Sequence, residues 1–357
     1  MAKAFQDQGH DVVIYTFSLQ YPNFLFPGKT QYSEDPAPKD LKIHRTINSV
    51  NPINWISQGN KIKKENFDLV IIRFWLPFMG PAFGTILRQI KKNKKTKVIS
   101  LIDNIIPHES RIGDKPFTKY FVKPVDGFVA MTQFVLDEIS LFDDVKPRTL
   151  TPHPIFDNFG VIEPRETALS KLGLPVENKY LMFFGFIRDY KGLDILLEAF
   201  ADKQFRNSGY KLIIAGEYYA KKEKYQNLIE KYKLADDIYS FDRFIADSEV
   251  SNYFNACDIL VQPYKTATQS GVTQIAYHFN KPMIVTNVGG LSEMCPDGRV
   301  GYVVDPKPSA IKDAILKFYN DTDHQEMQKT ILEEKRKYGW DILVDNILKL
   351  KSEIKLK

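Results

Sequence analysis

Short apolar runs alternate along this chain with stretches in which apolar residues recur at helical spacing. The runs are typical of buried parallel strands, and the spaced stretches are typical of amphipathic helices. Such an alternation predicts an α/β fold with parallel sheets. The expected strands lie at residues 12–15, 41–45, 68–74, 97–102, 126–131, 180–184, 211–215, 258–262 and 283–286. The expected helices lie at residues 81–95, 132–142, 193–200 and 221–233, with another beginning near residue 270.

One stretch near the middle of the chain interrupts this rhythm. Residues 151–165 contain three prolines and show neither the apolar run of a buried strand nor the apolar spacing of a helix. This is typical of a junction between two Rossmann-like halves. At the end of the chain, apolar residues at helical spacing predict an amphipathic helix, which we expect to pack on the first domain. The apolar face of that helix consists of Trp340, Leu343, Ile347 and Leu350. The expected divisions are a first domain at residues 1–160, a second at 161–337 and the C-terminal helix at 338–357.

The first residues have the pattern of the end of a helix, closed by Gly9 and followed by a strand. A doubly wound domain normally begins with a strand and a glycine-rich turn before such a helix. We therefore expect the first strand of the N-terminal domain to be missing, which would leave a gap in its sheet with unpaired backbone groups. Residues 18–40 are polar and rich in proline, and they predict a surface loop.

Composition excludes several classes of protein. The chain of 357 residues is 43% hydrophobic and 26% charged, which is a globular balance with room for two cores. Its two cysteines, Cys257 and Cys295, are too few for a disulfide framework and fit a reducing compartment. The sequence shows neither a signal-peptide pattern nor an apolar run of membrane-spanning length, so we expect a cytoplasmic protein.

Positive charge is concentrated in the first half of the chain. The net charge is only +5, but two lysine clusters stand out. They predict peripheral association with the anionic inner face of a membrane; the alternative is solvated lysines at helix ends. Nucleic-acid binding is not expected, because neither aromatic platforms nor a recognised module accompany the lysines. The clusters are Lys61, Lys63 and Lys64, and Lys91, Lys92, Lys94, Lys95 and Lys97.

The clearest candidate chemistry lies between the strand at 180–184 and the helix that follows it. Here Gly185, Arg188, Lys191 and Gly192 form the pattern G-x-x-R-x-x-K-G. A glycine permits a tight turn, and two cations at a helix N-terminus add their charge to its exposed N–H groups. That combination suits a diphosphate. The alternative is an ordinary surface loop with two solvated cations.

Two strand ends in the first half also carry polar side chains. Arg73 and Trp75 lie at the end of one predicted strand, and Asn104, His108 and Glu109 follow the next one. Open α/β sheets bind ligands at this edge, and a His beside a Glu can position or deprotonate a hydroxyl group. The alternative is a turn whose polar groups cap their own backbone.

Five segments spread over nearly the whole chain form a joint pattern. They are DNIIPHE at residues 103–109, HPIFDNFG at 153–160, FGFIRDYKGLDILLEAF at 184–200, ACDILVQPY at 256–264 and KPMIVTNVGGLSEM at 281–294. In this order the segments resemble the GT-B, family-4 type of retaining glycosyltransferase. Such enzymes move a sugar from a nucleotide diphosphate onto an acceptor, and their two Rossmann-like domains face a cleft.

The resemblance implies roles for individual residues. Arg188 and Lys191 match the family's basic pair on the donor pyrophosphate, and His108 matches a first-domain histidine beside the reacting sugar. The family needs neither a metal nor a cofactor. Retention in the family is thought to proceed by attack on the same face, with the leaving phosphate accepting the acceptor's proton. The residues expected on the acceptor side are Arg73, Trp75, Asn104 and Glu109.

One segment departs from the family's pattern. Where the family often carries two glutamates near the donor sugar and the ribose, this chain has Ala267 and Ile275. Between them, the start of a helix offers backbone N–H groups to a phosphate and polar side chains to the sugar. The alternative is a simple N-capped helix start. The expected donor-binding residues are Gly185, Thr268, Gln269, Ser270 and Gly271.

The sequence therefore predicts a cytoplasmic, retaining glycosyltransferase of the hexosyltransferase type, without metal or cofactor. Its donor would be a nucleotide-diphosphate sugar and its acceptor a glycan or a lipid-linked sugar. The alternative is a catalytically degenerate protein of the same fold that binds nucleotide-sugar or glycan, which Ala267 and Ile275 motivate. A nicotinamide-dependent enzyme is not expected, because the sequence lacks G-x-G-x-x-G.

Overall fold

The structure is a computed structural model, and it describes residues 1–22, 31, 37–107, 112–205, 208–267 and 270–355. The chain forms two compact units. The first unit consists of Met1–Pro152 with Trp340–Lys357, and the second consists of His153–Gly339. Both units are built from parallel strands that alternate with helices, so the expected α/β class is confirmed.

The first unit contains two parallel sheets within its described residues. Its strands are β1 (Val13–Leu19), β2 (Lys42–Asn48), β3 (Leu69–Phe74), β4 (Lys97–Ile102), β5 (Gly127–Ala130) and β6 (Arg148–Leu150). Its first helices are α1 (Ala2–Asp7), α2 (Pro52–Lys64), α3 (Gly80–Lys91), α4 (Asp114–Val122) and α5 (Gln133–Ser140). One sheet pairs β1 with β2, and the other has the order β3-β4-β5-β6. Aromatic rings connect the two sheets, because the centroid of Tyr15 lies 6.4 Å from that of Phe67 and Phe17 lies 6.1 Å from Trp75.

The second unit is built on one sheet of six parallel strands in the order β12-β11-β10-β7-β8-β9. Its strands are β7 (Lys179–Phe184), β8 (Tyr210–Ala215), β9 (Ile238–Phe241), β10 (Ile259–Gln262), β11 (Met283–Thr286) and β12 (Gly301–Val304). Its helices are α6 (Arg165–Leu172), α7 (Leu193–Phe200), α8 (Lys222–Lys231), α9 (Val250–Ala256), α10 (Gly271–His278), α11 (Pro308–Asp321) and α12 (His324–Lys335). β7 lies between β8 and β10, so the carboxyl ends of these three strands meet at one edge.

Strong hydrophobic patterns predicted their elements correctly. The strand expected at 180–184 is β7, which is buried from Tyr180 onward, and the helix expected at 193–200 is α7. Thr132 caps α5 as expected, because its side chain accepts a hydrogen bond from the N–H of Val135. These local signals agree with the packing that the structure shows.

Three strands were missed, and all of them are edge strands. β6, β9 and β12 have four residues or fewer, and each is partly exposed, so none forms a continuous apolar run. β1 is longer than expected and continues to Leu19, which shortens the loop expected at residues 18–40. Residues 23–30 and 32–36 of that loop lie outside the described residues.

The last helix, α13 (Trp340–Glu353), belongs to the first unit. Its buried face packs against β4 and β5 and against the side chain of Phe5 in α1. The core residues that α13 contributes are Leu343, Val344, Ile347 and Leu350. None of the helices among the described residues combines the length and the apolar character needed to cross a bilayer.

We expect Ile347→Ala to lower the free energy of unfolding of the first unit by about 2–5 kcal/mol, because removal of a fully buried side chain leaves a cavity. Trp55, Trp75 and Trp340 are the three tryptophans of the chain, and all belong to this unit. Their fluorescence in urea therefore reports its unfolding. The control is Lys349→Ala at an exposed position of α13. Equal midpoints for the two variants would show that α13 does not stabilise the unit.

Candidate functional site

The loop from Gly185 to Gly192 follows β7 and packs closely against the ends of the neighbouring strands. Gly192 has a φ of +67°, and a Cβ atom there would lie 2.0 Å from the carbonyl oxygen of Pro263, just after β10. Gly185 has a φ of +95°, and its N–H donates to the carbonyl oxygen of Ala215 at 2.9 Å. At Gly192 only glycine combines this conformation with so close an approach of two backbones, and at Gly185 the positive φ favours glycine. The two glycines therefore shape the loop.

Lysines from outside the loop neutralise the carboxylates that hold it. Asp189 accepts a hydrogen bond from Nζ of Lys224 at 2.8 Å, and this bond lowers the pKa of Asp189. Asp194, in the first turn of α7, forms ion pairs with Lys265 at 2.6 Å and with Lys224 at 3.1 Å. These ion pairs hold the loop against α8 and against the segment after β10. Arg188 and Lys191, the two cations of the loop itself, take no part in them.

The two cations of the loop form no ion pair with any described residue. Lys191 is only 8% exposed, and its Nζ lies 5.6 Å from the ring centroid of Tyr264. Arg188 is exposed, and its guanidinium group lies 5.4 Å from the ring centroid of Tyr219. A cation–π contact contributes about 0.5–2 kcal/mol, and it does not replace the hydrogen bonds that the three N–H donors of an ammonium group form in water. The surroundings of Lys191 therefore favour an incoming anion.

Lys191 lines a cavity of about 300 Å³ at the carboxyl edge of the sheet. Most of the wall is aromatic or apolar, as is usual for sites that bind small molecules. Among the lining residues Lys191 alone is charged. The cavity is lined by Phe156, Phe159, Tyr190, Lys191, Tyr264, Ser270, Gly271, Val272 and Ile275.

Helix α10 begins at the wall of this cavity. Ser270 precedes the helix, but its Oγ accepts a hydrogen bond from Nε2 of Gln262 at 2.7 Å and lies 3.3 Å from the hydroxyl group of Tyr264. Thr273 donates to Oε1 of Gln262 at 3.0 Å. The side chain of Ser270 thus belongs to a buried polar network and does not cap α10. A helix start without a side-chain cap suits an anion, which its first N–H groups can bind.

The cavity wall is apolar where the family often has carboxylates. Ala267 is 7% exposed and Ile275 is 6% exposed, and Ile275 contributes directly to the wall. Thr268 and Gln269, which were expected to bind the donor, lie outside the described residues. Their expected roles therefore stay predictions.

In the first unit, three of the expected acceptor residues, Arg73, Trp75 and Asn104, lie at the carboxyl ends of β3 and β4. Arg73 donates two hydrogen bonds to Asp103, from Nε to Oδ2 at 2.6 Å and from Nη2 to Oδ1 at 3.1 Å. Nε1 of Trp75 donates to the hydroxyl group of Tyr21 at 2.6 Å. Asn104 directly follows Asp103 at the same edge. The guanidinium group of Arg73 is thus partly committed to a carboxylate of its own unit.

The structure brings together only part of the expected site. Lys191, Ser270 and Gly271 line one cavity, and Gly185 and Arg188 belong to the adjoining loop. His108 and Glu109 lie outside the described residues, so their expected roles stay predictions.

Three residues of this region were not predicted individually, namely Phe156, Gln262 and Tyr264. All three fall within segments that carry the family resemblance. By hydrophobicity alone Phe156 and Tyr264 resemble core residues, and Gln262 is a single polar residue at the end of an apolar strand. Their association with Lys191 depends on how β10 and α10 pack beside β7.

Known proteins resemble this chain in sequence over much of its length. The family of Glycosyl transferases group 1 matches residues 164–337, which lie within the second unit. An uncharacterized glycosyltransferase of Methanocaldococcus jannaschii is 26% identical over 302 residues, covering 83% of this chain and 78% of that protein. A D-inositol 3-phosphate glycosyltransferase of Streptomyces avermitilis is 24% identical over 296 residues, covering 77% of this chain and 63% of that protein.

Solved structures resemble the chain along most of its length. Sucrose-phosphate synthase of Thermosynechococcus elongatus has a TM-score of 0.74 at 14% identity, over 99% of this chain and 91% of that one. Anabaena HepE, in complex with UDP, has a TM-score of 0.70 at 14% identity, over 88% of this chain and 86% of that one. At such identities the likeness defines the fold, which is of the GT-B type.

The matching family and the relatives named above place this protein in the class of glycosyltransferases. Residues 164–337 match the family of group 1 glycosyltransferases. The class expected from the five sequence segments is therefore confirmed. The chain spans 63% of the length of the Streptomyces relative.

We expect Gly192→Ala to destabilise the second unit strongly and to abolish ligand binding in the cavity. Gly173→Ala is a matched control, because Gly173 has the same φ of +67° but no atom within 4 Å of its potential Cβ. The control should cost about 1–2 kcal/mol of stability, the cost of a left-handed conformation. Gly192→Ala should cost about 1–3 kcal/mol more, because the new methyl group overpacks against Pro263. Calorimetry of both variants tests this, and equal losses would contradict the close approach.

Proposed function

We propose that this protein is a retaining glycosyltransferase that transfers a sugar from a nucleotide-diphosphate donor to a glycan or lipid-linked acceptor, without a metal or cofactor. The single observation that carries the proposal is Lys191, a largely buried cation without a carboxylate partner among the described residues. It lines a cavity beside a helix start and belongs to the same loop as Arg188. This arrangement suits a diphosphate.

The donor would lie on the second unit. Arg188 and Lys191 would bind its diphosphate, and Gly185 would let the backbone approach closely. Gly271, at the start of α10, and the preceding residues Thr268, Gln269 and Ser270 would contact the phosphate and sugar. HepE, whose fold this chain shares, has been observed in complex with UDP and with UDP-glucose, which supports a nucleotide-sugar donor.

In the proposed reaction, a hydroxyl oxygen of the acceptor forms a bond to the anomeric carbon as the bond from that carbon to the phosphate oxygen breaks. The leaving phosphate accepts the hydroxyl proton, so the products are the glycosylated acceptor and a nucleoside diphosphate. Arg188 and Lys191 stabilise the charge that develops on the leaving group, which is the contribution a metal would otherwise supply. His108 would orient the reacting sugar.

The acceptor would lie on the first unit, where Arg73, Trp75, Asn104 and Glu109 are the proposed contacts. The bond from Arg73 to Asp103 holds the guanidinium group in a defined orientation and leaves part of it open to a hydroxyl group. A lipid-linked acceptor is consistent with our proposal of a cytoplasmic protein that associates with the inner face of a membrane through lysines of the first unit.

One observation favours a second candidate, a protein of this fold that binds nucleotide-sugar or glycan without turning it over. Ala267 and Ile275 are buried and apolar where the family often has glutamates. Their side chains cannot form hydrogen bonds with the sugar or ribose hydroxyls. Tight donor binding with neither transfer nor donor hydrolysis would favour this candidate.

We expect one nucleoside diphosphate among UDP, GDP and ADP to raise the melting temperature of the purified protein, with CMP as the monophosphate reference. At a ligand concentration of about 100 times Kd the stabilisation is about 2.7 kcal/mol. Arg188→Ala should remove most of it, whereas Lys307→Ala, at an exposed lysine of the same unit, should not. If no diphosphate stabilised the wild-type protein, the proposed donor site would be wrong.

Arg188→Ala should also lower turnover by about 10²–10³, which is typical for the loss of one group that stabilises transition-state charge. His108→Ala should lower turnover while leaving the affinity for the free nucleotide nearly unchanged. Steady-state kinetics with the stabilising donor, together with nucleotide titration, measures both effects. An equal loss of nucleotide affinity in His108→Ala would instead assign this histidine to the donor site.

A further inference from the structure

Helix α4 of the first unit and Ile112, two residues before it, expose an unusual set of apolar side chains. Ile112 is fully exposed, and Phe117 and Tyr120 are 40% and 38% exposed. Single exposed apolar residues are ordinary in soluble proteins, but a group on one short helix is not. We use the name α4 face for six exposed residues of this segment, namely Ile112, Lys115, Phe117, Lys119, Tyr120 and Lys123.

The charged members of the α4 face are all positive. Lys115, Lys119 and Lys123 recur every four residues, so they form one stripe along the helix. Tyr120 lies next to this stripe, and Phe117 follows beyond Tyr120 on the exposed side. None of the three lysines forms an ion pair within the described part of the chain. Asp114, at the first position of the helix, is the only acidic residue of α4. The face therefore combines exposed apolar groups with uncompensated positive charge.

Close packing against α3 holds this face in place. A Cβ atom at Gly80 would lie 2.4 Å from the carbonyl oxygen of Phe117, and one at Gly84 would lie 2.6 Å from the ring of Tyr120. The guanidinium carbon of Arg88 lies 3.6 Å from the ring centroid of Tyr120, and the same group donates to the carbonyl oxygen of Tyr120 at 2.8 Å. The exposed rings are thus presented on a rigid support.

We propose that the α4 face binds the surface of a lipid bilayer that carries anionic headgroups. The lysines complement the negative surface, and Ile112 and Phe117 enter the boundary between headgroups and acyl chains. A nucleic acid would use the same lysines and would stack on Phe117 and Tyr120, but it offers no apolar surroundings to the fully exposed Ile112, whereas the boundary between headgroups and acyl chains does. The α4 face would be the surface for the membrane association in the proposed function, on which this inference rests. Its binding to membranes is measured without any catalytic activity.

The α4 face is a different surface from the two lysine clusters that the sequence indicated for membrane association. In one of them, Nζ of Lys91 forms an ion pair with Asp126 at 2.7 Å, and Nζ of Lys97 donates to the carbonyl oxygen of Lys351 at 2.9 Å. The other cluster, Lys61, Lys63 and Lys64, lies in the last turns of α2 and provides a control of equal charge.

The test is co-sedimentation of the full chain with vesicles of phosphatidylcholine, with and without phosphatidylglycerol. We expect binding only to the anionic vesicles. The triple variant Lys115→Gln, Lys119→Gln, Lys123→Gln should reduce partitioning by about fivefold for each lysine removed. The double variant Ile112→Ser, Phe117→Ser should reduce it about tenfold. The control triple variant Lys61→Gln, Lys63→Gln, Lys64→Gln should retain most of the binding.

Three outcomes would overturn the assignment. They are no binding of the wild-type chain to anionic vesicles, an equal loss in the control triple variant, or binding of a single-stranded RNA oligonucleotide that the α4 variants alone lose while vesicle binding is unchanged. Tryptophan fluorescence in urea verifies that each variant folds. Stabilisation by a nucleoside diphosphate should persist in all of them, so failure of the membrane assignment can be distinguished from failure of the proposed donor site.

Discussion

The proposed site depends on Lys191, a positively charged side chain that is largely buried. The stem of Lys191 is packed into the loop after β7, and its ammonium group faces an aromatic cavity with no carboxylate to neutralise it among the described residues. The ring of Tyr264 offsets only part of the cost of this burial. The rest of the second unit must compensate for the remaining cost. The ammonium group of Lys191 is then able to bind a diphosphate strongly.

The surrounding structure makes this arrangement possible. Gly192 permits the loop to lie against the carbonyl oxygen of Pro263, which brings Lys191 next to the residues that follow β10. Asp189 and Asp194 hold the loop through lysines outside it, so they do not neutralise the loop's own cations. Backbone geometry, ion pairs and the buried network around Gln262 therefore support the same site.

Sequence reasoning predicted the parts of the molecule in which local and long-range signals agree. β7 and α7 were predicted because their apolar residues are arranged differently. Those of the buried strand are continuous, whereas those of the helix recur at helical spacing along one face. β9 and β12 were missed because short edge strands are partly exposed and lack a continuous apolar run. The apolar face of α13 was evident from its spacing, but the spacing alone does not determine which surface it covers.

The candidate site was predictable to a similar degree. The pattern of Gly185, Arg188, Lys191 and Gly192 indicated a loop for an anion, but not that Lys191 would be buried and Arg188 exposed. That difference arises from Tyr264 and Pro263, which the pairing of β10 with β7 brings beside the loop. The α4 face could not be anticipated either, because the exposure of Ile112 and Phe117 follows from how α3 and α4 pack.

The most direct test of the central claim is the stability of the ligand-free protein when Lys191 is replaced by methionine, with Lys307→Met as the control. Methionine keeps an apolar stem of similar length and removes the charge. We predict that Lys191→Met raises the free energy of unfolding, measured by calorimetry, by about 1 kcal/mol while stabilisation by a nucleoside diphosphate is lost. A less stable ligand-free variant that a diphosphate still stabilises would contradict the account.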